Sequence, residues 1–207
     1  MAEDTIEGGA TDARQEAIID NLPPLEALAG VEREVMEYDV VIVGGGPAGL
    51  SAAIRLKQRA EKDGREITVA VLEKSAELGG HILSGAVIDP KALNELFPDW
   101  KERGAPLETP VTEDKFLVLG PQGQTTLPAF AMPPFMHNHG CYIASLANLS
   151  RWLGEQAEAL GVEVYPGMAA SHVVYDEPSG RVKGVVAGVF GIGKQGQPTG
   201  EFQPGIE

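Results

Sequence analysis

Cysteine is nearly absent from this sequence: Cys141 is the single one in 207 residues. No disulfide can close within the chain, which fits a reducing compartment. One thiolate cannot hold an iron–sulfur cluster, which normally takes four. Basic residues are scarce as well. Sixteen Lys and Arg face 30 Asp and Glu, for a formal net charge of -14. No basic stripe exists to neutralise phosphates, so nucleic acid is excluded as a partner. Long apolar runs are missing, and no window approaches the ~20 residues of a membrane-spanning helix. The N-terminus carries no apolar signal core, and it is acidic where a mitochondrial presequence is basic. Neither leader is expected.

The charge that is present is unevenly spread. Residues 1–39 hold 11 acids against Arg14 and Arg33. Residues 1–34 are expected to form a partly disordered acidic extension, with a short helix over Thr11–Ile19 that Pro23-Pro24 would end. Residues 35–207 are expected to form one domain. Hydrophobic content of 43% and charged content of 22% suit an ordinary soluble core.

That domain is organised around Tyr38–Gly49, YDVVIVGGGPAG. The β-branched run Tyr38–Val43 predicts a strand buried on both faces of a parallel sheet. It runs into Gly44, Gly45, Gly46, Pro47, Ala48 and Gly49. Gly44 permits a tight turn, Gly46 lets a pyrophosphate approach the backbone, and Gly49 lets the following helix pack on the strand. The helix, expected over Pro47–Arg59, aims its N-terminal amides and dipole at the phosphates. Pro47 stands where a missing N–H costs little. Ala52, Ala53 and Leu56 would face the sheet. A polar loop, 58–66, then leads to a second strand, Ile67–Leu72, which ends at Glu73. A carboxylate there accepts hydrogen bonds from adenosine ribose hydroxyls and repels a 2′-phosphate, which argues against NADP. The glycine pattern alone is weak; with strand, helix and acid in order it predicts a dinucleotide site.

A second glycine cluster follows, Gly79-Gly80-His81-Ile82-Leu83-Ser84-Gly85. Its place just beyond the ribose acid suits a flavin dinucleotide better than NAD. His81 and Ser84 could donate to phosphate, ribityl or ring; His81 could equally be a turn residue bonded to backbone. Asp89-Pro90 predicts the start of a short helix, Lys91–Phe97. Residues 98–114 read as irregular. Lys115–Leu119 and Gln124–Leu127 predict a hairpin. Residues 128–136 are apolar but broken by three prolines, so they form either a covered loop or an exposed patch for a membrane or partner. His137, Asn138, His139 and Cys141 match no metal-ligand spacing.

The apolar spacing Ile143, Leu146, Leu149, Leu153, Ala157, Leu160 predicts a helix ending at Gly161. Val162–Tyr165 reads as a third parallel strand. Ser171–Tyr175 and Arg181–Val189 read as a hairpin. Residues 188–194 satisfy GxxxxGK, but Gln195 replaces the magnesium-binding Ser or Thr and no helix can follow, so an ATP loop is rejected.

Several segments together closely resemble electron transfer flavoprotein–ubiquinone oxidoreductase. They are GGGPAGLSAAIRLKQ, VLEKSAELGGHILSGAVIDP, FPDWKERGAPLETPVTEDKF, HNHGCYIASLANLSRWLGEQAEALGVEVYPGMAAS and GIGKQG. The match runs from about Glu32 onward. It implies an α/β, Rossmann-like FAD-binding fold of the glutathione-reductase type with antiparallel hairpin insertions. It also implies one FAD, one [4Fe–4S] cluster and a membrane surface. Electrons would come singly from reduced electron transfer flavoprotein and pass in pairs to ubiquinone. FAD suits that role because it joins one- and two-electron chemistry.

The resemblance adds Lys74 and Ala170 to the cofactor-contact candidates and turns loop 115–137 into a candidate membrane contact. The expected location is the inner face of a bacterial cytoplasmic membrane, or the mitochondrial inner membrane in eukaryotic relatives. Three departures stand out. The cluster cysteines of the family are not here. No Gly-Asp pair occurs to return to the ribityl and pyrophosphate. Cys141 stands where the family usually has Asn. The sequence is therefore expected to be an N-terminal fragment whose fold is incomplete at the C-terminus. It would be inactive alone, either as the FAD part of the oxidoreductase or as a non-catalytic nucleotide-binding module. Another FAD-dependent oxidoreductase of the geranylgeranyl-reductase-like group is the remaining alternative.

Overall fold

The computed structural model describes residues 30–207 except Ser84, Ala129 and Ala131. The predicted helix over Thr11–Ile19 and most of the acidic extension lie outside the described residues. In chain order the elements are β1 (Val40–Val43), α1 (Pro47–Lys62), β2 (Val69–Glu73), β3 (Ala86–Ile88), α2 (Lys91–Leu96), β4 (Thr109–Pro110), β5 (Phe116–Gly120) and β6 (Gly123–Leu127). A 3₁₀ turn (Pro134–Met136), β7 (Tyr142–Ala144), α3 (Leu146–Ala159), β8 (Glu163–Pro166), β9 (Ala170–Asp176), β10 (Arg181–Ile192) and β11 (Pro198–Ile206) follow. The described residues fall into two compact units, Glu37–Ala170 and a second built from residues 30–36 with Ser171–Glu207.

In the first unit β1, β2 and β8 form a parallel sheet in the order β1-β2-β8. The middle strand is apolar and buried from Val69 to Leu72, as a strand covered on both sides must be. The flanking strand β1 corrects the expectation of full burial. Its residues alternate half-buried and exposed, with Val43 59% exposed. It is an edge strand, and only its Val40 and Ile42 side packs on the core.

Helix α1 buries Leu50, Ala53, Ile54 and Ala60, a face of three- and four-residue spacing. Ala52 and Leu56 are exposed instead, correcting the predicted face. The helix also runs one turn longer than predicted, into the expected polar loop. Arg59 and Lys62 sit in its last turn, where cations favour the dipole. Gly64 (φ +64°) then stops it, and the Arg65 amide closes back on Ala60 O at 2.9 Å.

Helix α3 starts later than its apolar spacing suggested. Ser145 caps it by accepting from the Asn148 amide at 3.3 Å, so Ile143 lies in β7, where it is exposed. In β7 the chain pairs antiparallel with β3 and β4, three short strands that carry too few residues to show a period. Helix α2 begins at Lys91 as predicted and ends one residue earlier, at Leu96; Pro90 rather than Asp89 stands at the cap, and Asp89 Oδ1 accepts from the Lys91 amide at 2.9 Å.

The core lies between α1, α3 and the sheet and is closed by α2 and the turns after it. Phe97 stacks edge-on against Trp152 at 5.7 Å, and Trp100 against Tyr142 at 5.6 Å. Both buried indoles are satisfied. Trp100 Nε1 donates to Asn94 Oδ1 (2.6 Å) and Trp152 Nε1 to Arg103 O (3.1 Å).

The second unit is an antiparallel sheet in the order β11-β10-β9. The predicted hairpin is β9–β10, but β10 runs on to Ile192 and pairs with β11, which sequence reading missed. A bulge between Phe190 and Ile192 breaks the alternation there. Residues 188–192 therefore belong to a strand, and Gly193 and Lys194 to the turn that joins it to β11, rather than to a nucleotide loop. Glu34 bridges to Ile206, and Arg33 Nε donates to Pro204 O at 2.9 Å, so the end of the predicted acidic extension is tied to this sheet.

Candidate functional site

The glycine loop leaves β1 at the carboxyl edge of the parallel sheet, beside Glu73 at the end of β2 and Pro166 at the end of β8. Gly44 turns the chain with φ +111°, a conformation that L side chains rarely adopt, while its amide donates to Leu72 O at 2.8 Å. Gly46 then caps α1 in an extended conformation, and Pro47 opens the helix.

The four glycines differ in what surrounds them. A methyl group on Gly49 would collide with Gly44 O, so this glycine brings helix and loop together. One on Gly45 would stand 2.5 Å from Leu78 Cδ2 and 3.0 Å from Glu73 Cβ. At Gly46 a methyl group would meet no atom within 4 Å. Protein packing therefore accounts for Gly45 and Gly49, and the open space beside Gly46 is where a pyrophosphate would approach the backbone. The amides there and the α1 N-terminus supply the positive partial charge such a group needs.

Glu73 is more engaged than expected. Its Oε2 accepts from the Gly45 amide and its Oε1 from the Ser75 amide, both at 2.8 Å. The side chain thus holds the glycine loop to the turn that follows β2. Each carboxylate oxygen keeps lone pairs beyond these bonds, so acceptor capacity for ribose hydroxyls is left.

The turn after β2 folds tightly back on the unit. Gly167 donates to Ser75 O at 2.7 Å, and a methyl group on Gly79 would stand 2.7 Å from Ala147 O of α3. On Gly80 it would strike Ser75 Oγ. Both glycines of this cluster therefore have a packing reason of their own. Lys74, Gly80 and His81 are exposed in this turn, Ala48 is exposed at the start of α1, and Ala170 is exposed where β9 begins. Ser84 lies outside the described residues.

Sequence reading missed Leu78, Ser75 and a cluster around Glu163. Tyr38 and Tyr165 both donate to Glu163 Oε2, at 2.7 and 2.5 Å. These bonds hold the Glu163 carboxyl below the usual range. Burial, reinforced by the same partners, pushes the Tyr38 phenol well up. Asp39 is held low by the Thr68 amide and hydroxyl, a clip that ties the starts of β1 and β2. An open cleft of about 610 Å³ lies at that end of the sheet, lined by Asp39, Lys57, Arg65 and Thr68 among others. It is at the amino ends of the strands, opposite the glycine loop, and has no part in the nucleotide site.

The predicted hairpin 115–127 is present, with Phe116 opposite Leu127 and Gly120 opposite Gly123. It pairs with no other strand among the described residues. Leu119 is 74% exposed, and Phe130 and Phe135 in the following segment are 90% and 84% exposed. Within this chain these side chains are therefore not covered. Asp114 closes its root by accepting from the Asn138 amide and Nδ2, each at 2.9 Å. No Asp or Glu occurs between Asp114 and Glu155. Among the described residues, no helix is long and apolar enough to cross a membrane, and no group of three or more His, Cys, Asp or Glu is placed to hold a metal.

Comparison with known proteins bears on this geometry. The family described as an NAD(P)-binding Rossmann-like domain matches residues 42–98. The electron transfer flavoprotein-ubiquinone oxidoreductase of Pseudomonas aeruginosa is 59% identical over 179 residues, 86% of this chain and 32% of its own length. The mitochondrial protein of that name from Mus musculus is 56% identical over 86% of this chain and 28% of its own length. That from Dictyostelium discoideum is 57% identical over 84% and 28%.

This chain thus spans about a third of the length of the curated relatives it matches. A solved geranylgeranyl bacteriochlorophyll reductase-like protein from Thermoplasma acidophilum shares the fold, with TM-score 0.51 and 21% identity over 72% of this chain and 34% of that one. The resemblance and the Rossmann-like fold class read from the sequence are both borne out.

Proposed function

We propose that this chain is the FAD-binding part of an oxidoreductase similar to the electron transfer flavoprotein-ubiquinone oxidoreductases. The whole protein would take electrons from reduced electron transfer flavoprotein and pass them to ubiquinone at a membrane surface, with a [4Fe–4S] cluster whose ligands are not in this chain. The observation that carries the reading is the open space at Gly46, framed by Gly44, Gly49 and the α1 N-terminus and flanked by Glu73. Within it the loop amides hold and orient the pyrophosphate, and Glu73 accepts from the adenosine ribose with the lone pairs that Gly45 and Ser75 leave. Lys74, Gly80 and His81, exposed in the turn after β2, and Ala170 at the start of β9 are assigned to the same nucleotide, as is Ser84, which lies outside the described residues. When bound, FAD supplies exchange between one-electron and two-electron carriers.

The apolar loop 115–137 is the membrane contact in this reading. Exposed Leu119, Phe130 and Phe135 would enter the headgroup region, and the absence of acids on the loop avoids repulsion from anionic lipid.

The nucleotide reading is tested by titrating the chain with FAD and with ADP. The expected result is competitive binding at one site, with little yellow colour near ~450 nm retained on purification. Failure to bind either nucleotide would overturn the reading.

A further inference from the structure

We infer that Leu78 is a positioning residue for the pyrophosphate loop, coupling that loop to helix α3. The inference rests on reading residues 44–49 as the pyrophosphate site and deepens it.

The two methyl groups of Leu78 occupy space that two distant glycines leave free. Cδ2 lies against Gly45, where an added methyl group would stand only 2.5 Å away. Cδ1 lies against Gly154 of α3 and would collide with a methyl group there. Neither glycine has a positive φ, so the backbone does not require glycine at either place. What both positions share is Leu78. It stands on the turn after β2 and is partly buried against the core. The same turn is pressed against α3 at Gly79 and anchored to the end of β8 through the Gly167 to Ser75 bond.

The arrangement has a direct consequence for the site. Gly45 is the residue whose amide is held by Glu73, and it precedes Gly46, where the pyrophosphate would approach. Leu78 and Glu73 enclose Gly45 together, one by packing and one by a charge-assisted hydrogen bond. The carboxylate fixes the direction of the amide. The leucine fixes how far the loop can recede from the ligand, and α3 fixes the leucine. Close-packed side chains transmit such displacements because few voids exist to absorb them. A change at Gly154 should therefore be felt at Gly45.

The test is amide hydrogen exchange by NMR on the full chain, comparing Gly45 with Val71 in the buried middle strand. Leu78→Ala is expected to speed exchange at Gly45 at least tenfold relative to Val71, whereas a merely structural leucine would move both together. Gly154→Ala is expected to disturb Gly45 alone, and adding Leu78→Ala is expected to cancel the effect of Gly154→Ala. Leu78→Val, which removes less volume, gives the same reading at smaller amplitude if Leu78→Ala does not fold. An unchanged Gly45 to Val71 ratio in the leucine variants, or strictly additive effects in the double variant, would overturn the inference. ADP titration keeps the two readings apart. If the unaltered chain binds no ADP, the pyrophosphate reading fails, and with it the site for which Leu78 would be positioning. If ADP binds and Leu78→Ala lowers its affinity less than twofold, the pyrophosphate reading stands and the positioning role fails.

Discussion

Replacing Glu73 by Ala probes both roles of that side chain. The carboxylate accepts from the amides of Gly45 and Ser75, and both residues are buried. Alanine leaves two amides without partners. An orphaned buried amide costs about 1–3 kcal/mol, so about 2–4 kcal/mol of stability should be lost if water partly reaches one of them. At a urea slope of about 2 kcal/mol/M the unfolding midpoint should fall by about 1–2 M. Tryptophan fluorescence is the suitable probe. The two tryptophans of the chain, Trp100 and Trp152, are both buried in the unit Glu37–Ala170, so the signal reports the unit that holds the site. Glu73→Gln keeps one acceptor oxygen and should lose about half as much. Where ADP still binds, Glu73→Ala should weaken it by about 1–3 kcal/mol, through loss of the ribose bonds. A midpoint shift under about 0.3 M would refute the bracing role, and unchanged ADP affinity by calorimetry would refute the ribose role.

Gly46→Ala should leave the urea midpoint nearly unchanged, because the new methyl group meets no protein atom, yet it should lower ADP affinity; equal affinity would mean that the open space is not the pyrophosphate site. Gly49→Ala should instead unfold the unit or lower its midpoint sharply, since the methyl group meets Gly44 O. Asp39 and Glu163 have folded-state pKa values below their ordinary ones, so their contribution is present above ~4 and is lost as pH falls through the lowered values. Tyr38 is raised, so its contribution is full below ~10 and is lost as pH climbs toward its raised value. Glu163→Gln should flatten the acid limb of a stability profile, and an acid limb unchanged in both Glu163→Gln and Asp39→Asn would remove these carboxyls from the explanation. Phe130→Asp combined with Phe135→Asp should reduce co-sedimentation with liposomes; undiminished binding would place the membrane contact elsewhere.

The sequence by itself determined the nucleotide corner. A β-branched run, a glycine turn, a helix opened by proline and a second strand ending in an acid are local signals. Each depends on backbone geometry within a few residues, so each is readable without knowing what lies across the fold. The hairpin 115–127 and the glycine stop of α3 at Gly161 were legible for the same reason.

What the sequence did not determine depends on partners far away in the chain. The exposure of Val41 and Val43 follows from the absence of a covering layer on that face of β1 among the described residues, whereas Val40 and Ile42 pack on the core. Strands β3, β4 and β7 are too short to carry a period, and Ile143 continued the apolar spacing of α3 by coincidence. Glu73 looked like a ligand acid because the Gly45 amide, 28 residues earlier, becomes its partner only when β1 and β2 align. Gly45 looked like a glycine kept for the ligand, whereas the folded chain fills the space beside it with Leu78. Local propensity could specify the turn; only packing could decide which of its glycines faces the protein and which faces open space.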